Sequence, residues 1–156
     1  MFRRSSATRA AGSSAAAETP AAAVSLLVAA GCGGPSSDLF AVERAGAVPG
    51  ARLTLVVDDG GFVRCNHGDR KEISSKQLID ARDIARQLDG EPDKAPGPAK
   101  RNLTFAPRPG SILRYDVRTE QGSVAFADNS ARQPAVLFRA AELTRDLAKQ
   151  VCGLPR

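Results

Sequence analysis

The chain of 156 residues has no tryptophan, one tyrosine, one histidine, one methionine and three cysteines. Tyr115 and six phenylalanines are too few to build the stacking platform on which single-stranded nucleic acids lie. With His67 as the sole imidazole and no Cys-x-x-Cys spacing, no zinc set can be assembled. His67 sits in Asn66-His67-Gly68-Asp69 with no partner fixed by spacing, so it reads as a loop histidine and not as part of a Ser-His-Asp site. Asp58-Asp59 would open an acidic calcium loop, but Gly60, Gly61 and Phe62 stand where further ligands are needed, and a turn is the simpler reading. Asp128-Asn129-Ser130 reads in the same way. A dominant charge is also missing: 22 basic against 17 acidic residues give +5. Lys76, Arg82 and Arg86 are interspersed with Asp80 and Asp83, and Arg139, Arg145 and Lys149 with Glu142 and Asp146. Such mixed faces are solvated rather than phosphate-tracking. The sequence therefore predicts no catalytic residues, no cofactor, no metal and no nucleic-acid partner.

An apolar run long enough to span a bilayer is absent too. The longest candidate, Ala21 to Gly31, has eleven apolar or small residues broken only by Ser25, against about 20 for a spanning helix. It follows Arg3, Arg4 and Arg9 and ends at Ala30-Gly31-Cys32, which predicts an export signal over residues 1–31. Arg3-Arg4 lacks the following Phe-Leu pair of a twin-arginine signal. Val28-Ala29-Ala30-Gly31-Cys32 resembles the Leu-Ala-Gly-Cys box of bacterial lipoproteins, with Ala29 where leucine is commonest. That resemblance implies cleavage before Cys32, a lipid on its sulfur, and a membrane-anchored chain on the extracytoplasmic face. Ordinary secretion after cleavage, or an Ala-rich tail on a cytoplasmic protein, are the alternatives. Residues 33–38, GGPSSD, extend the lipidated Cys32 into a short tether over 32–38.

Loss of residues 1–31 would remove three arginines and Glu18, leaving 19 basic and 16 acidic residues, or +3 on 125 residues. Cys65 and Cys152 would then remain as a pair, which suits an oxidising compartment; two unrelated thiols are the alternative. A bond between them would close a loop of about 90 residues, worth about 4 kcal/mol in the chain-entropy model.

The remaining span, 39–154, reads as one α+β domain. Leu39 to Glu43 and Leu53 to Val57 are strand-like, and Phe62 to Cys65 follows the turn Asp58-Asp59-Gly60-Gly61, a hairpin signal. Ser74 and Gln77 form a capping-box pattern that opens a helix with Leu78, Ala81, Ile84, Ala85 and Leu88 on one face, ending before Gly90. Residues 89–110 hold five prolines and three glycines and read as a linker or long surface loop. Ile112 to Arg118 then alternates, Glu120-Gln121-Gly122 turns, and Val124 to Phe126 returns. Pro134 suits the start of a second helix with Val136, Ala140, Leu143, Leu147 and Val151 on one face. The order β-ββα-ββα predicts a two-layer sandwich: an antiparallel sheet with both helices on one face.

This order, together with one local string, resembles the emfourin family of protealysin inhibitors. Those chains open with a strand and an Arg-Ser-Gly-Gly-Phe-Ala-Gly-like turn, continue through a strand, a helix and a Pro-rich stretch, and close with a Tyr-bearing hairpin and a Pro-led helix. Here Arg44-Ala45-Gly46-Ala47-Val48-Pro49-Gly50 stands at the turn, Tyr115 in the later hairpin and Pro134 before the last helix. Ala47 replaces a glycine, Pro49 replaces an alanine, and the cysteine pair lies outside the pattern. The resemblance implies a non-enzymatic inhibitor of an extracellular thermolysin-like metallopeptidase, with Arg44, Gly46, Val48, Pro49 and Gly50 in the partner-binding loop. Without it, residues 44–50 read as a Gly-Pro turn joining two strands, and the chain as an accessory envelope lipoprotein that holds some other envelope protein.

Overall fold

The computed structural model describes residues 36–154, so the expected signal segment and Cys32 lie outside the described residues. The elements follow in the order β1 (Asp38–Gly46), β2 (Leu53–Asp58), β3 (Phe62–Cys65), β4 (Arg70–Glu72), α1 (Ser75–Asp89), β5 (Leu113–Arg118), β6 (Ser123–Ala127) and α2 (Ala135–Gln150). All six strands join one sheet in the order β4-β3-β2-β1-β5-β6, every neighbouring pair antiparallel. The expected α+β sandwich is present, and β1, central in the sheet, joins the two halves of the pattern.

Alternation fixes which side of each strand is buried. Phe40, Val42 and Arg44 of β1, Leu53, Leu55 and Val57 of β2, and Leu113, Tyr115 and Val117 of β5 point to the helix side. Tyr115 stacks on Phe126 of β6 there, ring centroids 5.1 Å apart. The helices contribute Ala81, Ile84 and Leu88 of α1 and Leu137, Ala140 and Leu147 of α2 to the same core. The capping box is formed as expected: the Ser74 hydroxyl accepts from the Gln77 N–H while the Gln77 carboxamide oxygen accepts from the Ser74 N–H. The hairpin turn at Asp58 is closed by its carboxylate, which accepts from the Gly60 and Phe62 N–H groups and from Arg70.

Two expectations need correction. The sequence reading has no β4, yet Arg70–Glu72 pairs with β3 as an edge strand. Its three exposed charged residues carry no apolar alternation, and they are the kind of side chain that keeps a sheet edge from pairing with other chains. The Pro-rich stretch is a loop and not a linker, and part of it is buried where a surface loop was expected. Gly97, Pro98 and Ala99 are buried, Ala99 N–H bonds Leu88 O at the end of α1, and Phe105 N–H bonds Ala125 O of β6. The stretch packs under the helix and covers the outer edge of β6.

Cys65, at the end of β3, and Cys152, just after α2, form a disulfide with Cα atoms 5.9 Å apart. Lys71 of β4 donates to Val151 O beside it. No helix among the described residues is long and apolar enough to cross a membrane.

Candidate functional site

The β1–β2 connection is built around one tight turn. Ala51 N–H bonds Val48 O at 3.1 Å, Pro49 occupies the second position, and Gly50 the third with φ +75°. Proline second and a positive-φ glycine third is the type II pattern, in which proline presets one angle and glycine alone takes the other without strain. Gly46 has a different reason to be glycine. A Cβ there would come within 2.3 Å of Ile112 O, so β1 and the start of β5 meet only because that position has no side chain.

Arg44 holds the turn from beneath. Its side chain points into the core and is 2% exposed, with Nε donating to Ala51 O at 2.8 Å and Nη2 to Gly50 O at 2.9 Å. The guanidinium thus clamps the two residues that leave the turn. Burial lowers its pKa from the ordinary arginine value, and the Arg145 charge on α2 adds to that, while Tyr115 opposes it. Among the described residues, no group bonds Arg44 Nη1 or the hydroxyl of Tyr115, its register partner on β5.

What the turn displays is apolar. Val48 is 40% exposed, and Ile112, joined to the loop by the Ala47 N–H to Ile112 O bond, is 51% exposed. Of the residues expected in a binding loop, Gly46, Val48, Pro49 and Gly50 are together at this tip. Arg44 is not on its surface and acts only through the others. The alternation Phe40, Val42, Arg44 places Arg44 on the buried face because β1 runs on to Gly46. Ile112 escaped the sequence reading because it comes close to the tip only through the β1–β5 pairing.

Beside the tip, on the sheet face away from the helices, lies a groove of about 430 Å³. Ala45, Ala125 and Ala127 lie along it, Arg52 and Arg114 flank it, Glu43 and Asp116 stand farther along the strands, and Thr104, Phe105 and Pro107 border it. Arg118 pairs with Glu43 at 2.7 Å and approaches Asp116 at 3.7 Å. His67 is exposed in the β3–β4 turn, and no group of three His, Cys, Asp or Glu among the described residues is placed to hold a metal ion.

No family model, curated sequence or solved structure matches the chain.

Proposed function

We propose that the chain is an exported, lipid-anchored, non-enzymatic binding domain that inserts the Val48–Pro49–Gly50 tip into a cleft of another protein, the cleft of a thermolysin-like metallopeptidase being the specific target. The observation that carries this reading is the clamped tip: an apolar side chain on a type II turn whose exit is fixed by two hydrogen bonds from a buried arginine. Binding costs the entropy of every residue it orders, so a loop ordered in advance keeps more of its contact energy as affinity. Val48 and Ile112 supply adjoining apolar surface of the kind that fills a pocket. The sheet edges suit this reading, because β4 carries charges and β6 is covered by residues 103–105, leaving the tip and the outer face as the docking surfaces. The apolar run ending at Cys32 supports the anchor, and the disulfide suits an oxidising compartment.

Titration of a thermolysin-like peptidase with the wild-type chain tests the reading. Stoichiometric, saturable loss of peptide hydrolysis is the expected result. Full activity at micromolar chain would overturn the inhibitor reading and leave an accessory envelope protein.

A further inference from the structure

The groove beside the tip is flanked by two arginines, Arg52 and Arg114. Arg64, Arg70, Arg82, Arg86, Arg118 and Arg139 are all paired with carboxylates. Among the described residues, Arg52, Arg101, Arg108, Arg114, Arg132 and Arg145 are in no ion pair with a carboxylate, and of these Arg52 and Arg114 stand together at the groove. Of the acidic residues closest at hand, Glu43 is paired with Arg118 at 2.7 Å, and Asp116 lies 3.7 Å from the same guanidinium. Between the two guanidinium groups, Ala45 of β1 offers a floor with nothing beyond a methyl group, and beyond Arg114 and Asp116 of β5 the half-buried Ala125 of β6 is again small. Small floor residues let a main chain lie close to the sheet, and an arginine fork takes a carboxylate in two parallel hydrogen bonds.

We propose that this groove holds an extended acidic segment of a protein partner, its carboxylates on Arg52 and Arg114 and its backbone over Ala45. The groove shares Ala45 and Arg114 with the cleft around Gly46, Ala47 and Ile112, so a partner seated on the tip lays its neighbouring segment here. The proposal rests on the tip reading only for who that partner is.

A fluorescein-labelled Ala-Glu repeat peptide, titrated into the full chain, tests the groove without any peptidase, so its outcome is separate from that of the inhibition assay. Anisotropy should show saturable binding that weakens as salt rises from about 50 to about 500 mM. Amide shifts should concentrate at Ala45, Thr54, Arg114 and Ala125. The double variant Arg52→Gln/Arg114→Gln should lose at least about tenfold in affinity. Lys100→Gln/Lys149→Gln, which removes the same charge elsewhere, should change it by less than about twofold. Equal losses in the two double variants would overturn the proposal, as would shifts scattered over the surface or no binding. Tighter binding of an oligothymidylate at the same arginines would also overturn it, in favour of a phosphate ligand. If the arginine variant fails to fold, the wild-type shift map decides alone.

Discussion

Residue by residue, the tip divides into positions that set its shape and two exposed apolar side chains, Val48 and Ile112, proposed to meet a partner. Gly50 holds φ +75°, where a Cβ costs about 1–2 kcal/mol, so Gly50→Ala should lower stability by about 1 kcal/mol in a denaturant titration. Arg44→Met is the more diagnostic change. It removes a buried charge along with two hydrogen bonds, and those effects oppose each other in global stability. Global unfolding should therefore shift by no more than about 2 kcal/mol. Hydrogen exchange at the Ala51 amide should quicken far more than that of the sheet, because the clamp is local. Unchanged exchange at Ala51 would show that the turn holds without Arg44. The sequence reading ends β1 at Glu43 and puts Arg44 in the binding loop; the strand runs on to Gly46, which turns Arg44 inward, and its two carbonyl partners depend on how the chain returns after Pro49.

Among the elements, local chemistry was readable where a short-range signal decides it. The Ser74–Gln77 box, the Asp58 turn and the apolar faces of both helices follow from spacing alone. Long-range pairing was not readable: Arg70–Glu72 becomes a strand because β3 offers it an edge, and residues 97–105 become ordered because α1 and β6 do. The helix pair is tied by Asp83 of α1, which accepts from Arg139 of α2 at 2.6 Å and also from Arg86 and Gln87. The Arg139 hydrogen bond is the main cause holding the Asp83 carboxyl below its ordinary 3.8. A carboxyl whose pKa is depressed by folding stabilises above the unfolded value and loses that contribution as pH falls through the folded value. Asp83→Asn should thus cost up to about 1 kcal/mol at pH 7. The difference from wild type should shrink below pH of about 4. A pH-independent difference would mean that the cost comes from packing and not from charge.

For the whole molecule, the Cys65–Cys152 bond closes a sequence separation of 87 and joins the end of β3 to the end of α2. Replacing both cysteines by alanine should cost about 2–4 kcal/mol, read from the shift in chemical denaturation. Alkylation of both thiols in native exported protein would show that the bond is not made. The anchor is tested separately: Cys32→Ser should leave an uncleaved precursor without lipid label, and normal processing of that variant would remove the lipoprotein reading. None of these changes touches the tip, so binding by the folded domain should survive loss of the lipid.

If the preformed apolar tip delivers the affinity, as proposed, Val48→Asp removes it at its source. Val48 is 40% exposed on the turn, so the substitution leaves the core intact and the melting temperature nearly unchanged. Measured side by side against a thermolysin-like peptidase, the variant should inhibit at least about tenfold more weakly than wild type, about 1.4 kcal/mol. Equal inhibition by the two proteins would contradict the account and reduce the loop to a connection between strands.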